Sequence, residues 1–371
     1  MATVLVAGGG TGGHVFPGVA IARELRERWP GCEVLFVGTE HGLETKIVPA
    51  EGFRLLTISS AGITGKKFGP RLKGLALIAP SVAQSWLLMA RVRPSLVIGV
   101  GGYSSGPVVA AAILRRVPTL IHEQNFVPGV TNRRLARFVR QVAVTFPETV
   151  RFLGGRGVVT GNPVRKEFSF VKPKAAGGSG KRLLVIGGSQ GARVINRAMI
   201  EALPRLAARG GPAAAPGALS ITHQTGGAQL QAVTEAYRAS GLRPEDFEVK
   251  PFITGMPQAF EQADLIVSRC GSTTLAELTV AGRPSVLVPF AAATHDHQTF
   301  NARKLGEAGA AVVIAEKELT GERLADTILG LLDDPVRLAG MSDAARKLGR
   351  PDAAARIADL CLTLVARGEA S

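Results

Sequence analysis

Short runs of β-branched and other apolar residues alternate with longer amphipathic stretches from Thr3 onward. Thr3–Ala7, Glu33–Val37, Arg54–Ile58, Leu96–Gly99, Thr119–Ile121 and Gln141–Thr145 read as strands. Segments between them, such as Val15–Trp29 and Ser105–Arg115, have helical spacing. Strand–helix–strand alternation of this kind means a parallel sheet. The pattern breaks at Phe170–Gly180 (FVKPKAAGGSG), which has no apolar periodicity and reads as a linker. It then restarts with Arg182–Ile186, Leu219–His223, Phe247–Lys250, Leu265–Ser268, Ser285–Val288 and Ala311–Ile314. The expected fold class is therefore α/β, with two Rossmann-like doubly wound domains facing across a cleft. Residues 1–165 form the first domain, 166–180 the linker and 181–350 the second, and 351–371 form a C-terminal helix packing across the junction.

A length of 371 residues suits two cores, and 46% hydrophobic residues are enough to fill them. Met1 runs straight into an apolar strand without a basic leader, so a cytoplasmic protein is expected. Cys32, Cys270 and Cys361 are odd in number and widely spaced, which fits reduced, incidental or core thiols.

Charge changes this picture in the first half only. Of the net +15, residues 1–165 hold 20 Lys and Arg against 8 Asp and Glu. Between Gly52 and His122 there are nine basic residues and no acid. Such a field suits nucleic acid, an anionic membrane or a phosphorylated substrate. The aromatic residues do not interleave with the basic ones, which disfavours single-strand binding. Within this stretch, Leu72–Met89 is apolar but too interrupted to span a bilayer. It reads as a buried helical hairpin or as an apolar patch with a basic rim that enters a headgroup layer.

The candidate chemistry sits where strands end. Gly8–His14 (GGGTGGH) follows an apolar strand and opens a helix at about Val15. Glycines there let the main chain approach a ligand, and the helix start favours an anion. Gly8, Gly10 and Gly13 also fit GxGxxG, with Glu40 after the second strand, so a nicotinamide enzyme stays open. His14 at the helix start is disfavoured as a cation and suited to accept a proton, or else simply caps the turn. Further loops are Gly99–Gly106 and Gly161–Arg165 (GNPVR), with Arg165 a possible phosphate clamp. His122, Glu123, Gln124 and Asn125 end another strand.

In the second half, Gly187–Ala192 (GGSQGA) offers Ser189 to a phosphate and leads into a helix containing Asn196. Ser272, Thr273 and Thr274 open another helix, where Glu277 either accepts ribose hydroxyls or completes a capping box. His295–Ala302 (HDHQTFNA) could suggest a metal, but nothing completes a ligand set, and polar substrate contacts from Asp296 and Gln298 are the preferred reading.

GGGTGGHVFP, GGYSSGP, HEQN, GNPVR, GGSQGA and RCGSTTLAEL, in this order and followed by HDHQTFNA, closely resemble the bacterial undecaprenyl-diphospho-muramoylpentapeptide β-N-acetylglucosaminyltransferases. The resemblance covers nearly the whole chain. It implies the GT-B architecture and transfer of N-acetylglucosamine from UDP-N-acetylglucosamine to the muramyl 4-hydroxyl of the undecaprenyl-linked muramyl-pentapeptide, giving lipid II. It further implies that Thr11, Gly12, Gly13, Asn125, Arg165, Ser189 and Gln298 contact the donor, that Ile253 meets the uracil through its backbone and that Glu277 meets the ribose. Cys270 and Ser272 stand where some members carry other small residues.

The expected mechanism is an inverting displacement with His14 as base, or Glu123 in its place, and with no obligatory cofactor or metal. Expected partners are the two substrates and the anionic inner-membrane surface, not nucleic acid, with the protein peripheral on the cytoplasmic face. An NAD-dependent oxidoreductase, a non-catalytic nucleic-acid binder and a sugar-nucleotide epimerase are the competing readings.

Overall fold

The computed structural model describes residues 2–60, 78–172, 180–188, 190–208, 219–291 and 296–369. The chain divides into two compact units, residues 1–165 with 350–371, and residues 166–349.

The first unit is built on a seven-stranded parallel sheet in the order β3-β2-β1-β4-β5-β6-β7. The strands are β1 (Thr3–Gly8), β2 (Glu33–Gly38), β3 (Arg54–Thr57), β4 (Leu96–Gly101), β5 (Thr119–Glu123), β6 (Gln141–Val144) and β7 (Val158–Val159). Side chains alternate across the sheet with the pleat. Val4 and Val6 join the core beneath the helices Gly12–Arg28 and Ala353–Glu369, while Leu5 and Ala7 face Met89, Val108 and Val109. Burial on both faces is why these strands read as unbroken apolar runs.

The second unit repeats the plan with six parallel strands ordered β10-β9-β8-β11-β12-β13. These are β8 (Lys181–Ile186), β9 (Leu219–Gln224), β10 (Phe247–Lys250), β11 (Leu265–Ser268), β12 (Ser285–Leu287) and β13 (Ala311–Val313). Leu183, Val185, Leu219 and Ile221 pack with Ile195, Met199, Leu324 and Ile328 from the helices Arg193–Ala208 and Gly321–Leu332.

In each sheet the strand order reverses direction beside the first strand, between β1 and β4 and between β8 and β11. Helices leave adjacent strands to opposite sides there, which opens a crevice at the carboxyl ends. The glycine-rich loops after Gly8, Gly101, Ile186 and Ser268 all lie at these two switch points.

Several expectations change. The second unit begins at Lys166: in the turn Lys166–Phe170 the other side chains are exposed, but Phe168 is fully buried, with its ring 5.1 Å from that of Phe260, which anchors the start of the expected linker to this unit. Residues 173–179 of the expected linker lie outside the described residues. The C-terminal helix belongs to the first unit, where Ile357, Ala358 and Cys361 pack under the sheet and Arg28 bonds the Ala355 carbonyl (2.9 Å) and Asp359. Of Leu72–Met89, residues 72–77 lie outside the described residues, and the rest belongs to a single helix, Ile78–Val92. The first helix starts at Gly12, not near Val15. All three cysteines are buried free thiols, with burial pushing Cys32 up to about 11 and the other two higher still. Among the described residues no helix is long and apolar enough to cross a membrane.

Candidate active site

In the first unit the site is built around His14. Because the helix begins at Gly12, His14 lies in its first turn, and its Nδ1 is 3.1 Å from the main-chain oxygen of Val100 on β4. A carbonyl only accepts, so Nδ1 carries a proton, and in the neutral tautomer the lone pair is then on Nε2. The same oxygen accepts from Gln124 Nε2 (2.7 Å), which pins the end of β5 to the end of β4. Gly101 makes room for the ring: its φ is +92°, and a Cβ there would lie 2.6 Å from His14 Nδ1.

Beneath the glycine loop lies a residue that sequence reasoning missed. Glu44 is fully buried, and its carboxylate accepts from Gly10 N (2.7 Å), Thr39 N (2.9 Å) and Thr39 Oγ1 (2.8 Å). A side chain at Gly9 would collide with that carboxylate. The local signal was an acid set among Gly38, Gly42 and the loop glycines, although GLETK also reads as an ordinary exposed helix start.

Phe16, also missed, links Arg165 to the helix start. The Arg165 guanidinium lies 4.6 Å from the Phe16 ring centroid, and the ring edge lies against Gly12. This stacking ties a cation, through the Phe16 ring, to the helix start at Gly12, which already favours an anion.

Glu123 does not fit its expected role as an alternative base. It is 2% exposed, with Oε1 accepting from Asn125 N (3.0 Å) and Nδ2 (3.3 Å), and Oε2 from Gly129 N (3.1 Å) and Asn132 Nδ2 (2.9 Å). Burial raises its pKa against these four donors. Both oxygens are used to fold the 124–132 loop, and Asn125 is placed by that bond. His122 beside it is buried, donates from Nε2 to the Gly161 carbonyl (3.1 Å) and is held neutral by burial, with its pKa lowered to about 4.

In the second unit, Ser189 lies outside the described residues, as does His295. Asn196 is a correction: it is 1% exposed and its amide is committed. Its Nδ2 donates to the Thr225 carbonyl (2.9 Å) and Gln229 Oε1 (2.7 Å), while its Oδ1 lies 3.2 Å from His223 Nε2. The Tyr237 hydroxyl satisfies His223 Nδ1 (3.1 Å), and desolvation lowers that histidine's pKa to about 3. Asn196 therefore holds the loop after β9 instead of facing a ligand.

Ser272, Thr273 and Thr274 form the first turn of the helix Ser272–Ala281, after an N-cap glycine, Gly271. Glu277 sits beyond the capping-box position and shares a buried face with Thr273, one turn earlier, so the capping-box reading fails. Gln298 Oε1 accepts from Cys270 N (3.2 Å) and Phe290 N (3.0 Å), joining the loops after β11 and β12, so its amide nitrogen is the end suited to a ligand. Ile253 N donates to Gln224 Oε1 (2.8 Å), so a base meeting Ile253 through the main chain would meet the carbonyl unless Gln224 gave way. Among the described residues no group of three or more His, Cys, Asp and Glu side chains is placed to hold a metal.

Residues 4–144 match the glycosyltransferase family 28 N-terminal domain and residues 182–357 its C-terminal domain. The UDP-N-acetylglucosamine–N-acetylmuramyl-(pentapeptide) pyrophosphoryl-undecaprenol N-acetylglucosamine transferase of Anaeromyxobacter sp. (strain K) is 48% identical over 367 residues, covering 98% of this chain and 93% of its own. The crystal structure of Acinetobacter baumannii MurG superposes with a TM-score of 0.76 at 32% identity, covering 98% of this chain and all of that one. A UDP-N-acetylglucosamine 2-epimerase structure, at 12% identity and a TM-score of 0.66 over 96% of this chain and 94% of its own, shares the fold alone.

Proposed function

The chain belongs to glycosyltransferase family 28 and is a UDP-sugar glycosyltransferase of the pyrophosphoryl-undecaprenol group, and we propose that it works by a single inverting displacement with His14 as general base. It transfers N-acetylglucosamine from UDP-N-acetylglucosamine to the lipid-linked N-acetylmuramyl-pentapeptide, forming lipid II. The observation that carries the mechanism is the bond from His14 Nδ1 to the Val100 carbonyl, which leaves Nε2 as the proton acceptor.

In this reading the muramyl 4-hydroxyl oxygen attacks the anomeric carbon, its proton passes to His14 Nε2, and the electrons of the breaking bond leave with the UDP oxygen. Thr11, Gly12, Gly13, Asn125 and Arg165 meet the donor from the first unit. In the second unit the proposed donor contacts are Ser189, the Ser272–Thr274 turn, Glu277 and Gln298. Helix starts and main-chain N–H groups placed where charge develops on the leaving diphosphate lower the barrier. They take the part a divalent ion plays elsewhere, so no metal is required in this reading.

Transfer of label from UDP-N-acetylglucosamine to the lipid fraction tests the reading. It is expected only with the lipid-linked acceptor present, and undiminished in excess chelator.

The reading extends to location: the enzyme works on the cytoplasmic face of the membrane as a peripheral protein. The helix Ile78–Val92 exposes Trp86 and Leu87, and Leu114 lies exposed at the end of the neighbouring helix Ser105–Leu114. Arg115 lies 4.6 Å over the Trp86 ring, with Arg91 and Arg116 exposed nearby in sequence. An apolar patch with basic neighbours suits an anionic headgroup layer.

A further inference from the structure

His223, Gln224, Thr225 and Gly226 bring polar residues to the end of β9 as His122–Asn125 do to the end of β5. Gln224 is 2% exposed, and both ends of its amide are engaged. Its Nε2 donates to the main-chain oxygen of Gly188 (2.8 Å), within the GGSQGA loop. Its Oε1 accepts from Ile253 N (2.8 Å), in the segment after β10. One rigid side chain therefore joins the loop assigned to the diphosphate and the residue assigned to the base.

Its own position is fixed. His223 is locked by Asn196 and Tyr237, and Thr225 N donates to the Lys250 carbonyl (3.0 Å). The Gly191 and Gly226 main chains are in such close contact with Thr225 and Gln190 respectively that neither tolerates a Cβ. Displacing the Gln224 amide thus moves the phosphate loop, the base-side segment or both. Resting on the donor reading above, we infer that Gln224 is a positioning residue that couples recognition of the uracil to the geometry of the phosphate loop.

The two ends of the amide can be separated chemically. Gln224→Glu keeps an oxygen for Ile253 N–H but turns an anion toward the Gly188 carbonyl, whereas Gln224→Leu removes both bonds. Calorimetric dissociation constants for UDP, ADP and uridine then read base discrimination (UDP against ADP) and the diphosphate increment (UDP against uridine). Gln224→Glu is expected to keep the wild-type preference for UDP over ADP within about 3-fold while losing about 10-fold or more of the diphosphate increment. Gln224→Leu is expected to lose about 10-fold in both. Both ratios unchanged in the two variants, or both ratios lost equally in the two along with thermal stability, would overturn the inference and leave the donor reading standing. A wild-type chain that showed no preference for UDP over ADP would overturn both.

Discussion

His14 and Val100 are joined across the first switch point by a 3.1 Å bond from the imidazole Nδ1 to the main-chain oxygen. That bond selects the tautomer, and Gly101 alongside fixes where the ring lies. Placement of the ring and the proton on Nδ1 are thus set by main-chain groups.

A Cβ at residue 101 has no room, because His14 Nδ1 would lie 2.6 Å away and φ is +92°. Gly101→Ala is expected to lower kcat about 100-fold through misplacement of the base. The dissociation constant for UDP, measured by calorimetry, is expected to stay within about 3-fold.

Glu44 holds three donors beneath the loop that carries His14. Glu44→Ala removes the buried acceptor of three part-buried donors, so urea unfolding is expected to show a loss of about 2–4 kcal/mol. Turnover at a temperature where the variant is still folded is expected to fall about 10-fold or more.

Acid should weaken both units. Burial lowers the pKa of His122 to about 4 and that of His223 to about 3, below the unfolded value of 6.5. Below pH 6.5 the unfolded chain gains protons that the folded chain does not, so stability is full above that pH and falls as pH drops toward 4 and 3. At pH 5 each histidine is expected to cost about 2 kcal/mol relative to pH 8. Denaturant titrations of the wild type and of His122→Gln at the two pH values check this, and the variant's pH-linked loss is expected to be smaller by about that amount.

Trp86 and Leu87 are 40% and 59% exposed, and Leu114 is 65% exposed. Co-sedimentation with vesicles containing anionic lipid is expected to fall about 10-fold or more in the double variant Trp86→Ser, Leu87→Ser. Wild-type binding is expected to weaken in 0.5 M salt as the basic contribution, about 1 kcal/mol per residue near the surface, is screened.

Much of the fold was legible because doubly buried strands leave short, β-branched apolar runs at regular intervals between longer helical stretches. β7, two residues long at Val158–Val159, left no such run. The start of the first helix was placed late because Gly12 and Gly13 are poor helix formers whose conformation is set by the loop around them. His14 was legible as a polar residue at a helix start. Glu123 and Asn196 were misread for a common reason: a polar residue at the carboxyl edge of a sheet serves a ligand or a loop equally well. The choice depends on Gly129, Asn132, Thr225 and Gln229, which only the folded chain brings near. Glu44 and Gln224 were overlooked because their partners, Gly10, Gly188 and Ile253, are likewise distant in sequence.

The most direct test is the single-turnover rate of transfer from labelled UDP-N-acetylglucosamine to the lipid-linked muramyl acceptor, both saturating, in wild type and His14→Ala. With His14 Nε2 as the base, the variant is expected to be about 10²- to 10⁴-fold slower while still binding UDP. A variant within about 3-fold of wild type would contradict the assignment and place the base elsewhere.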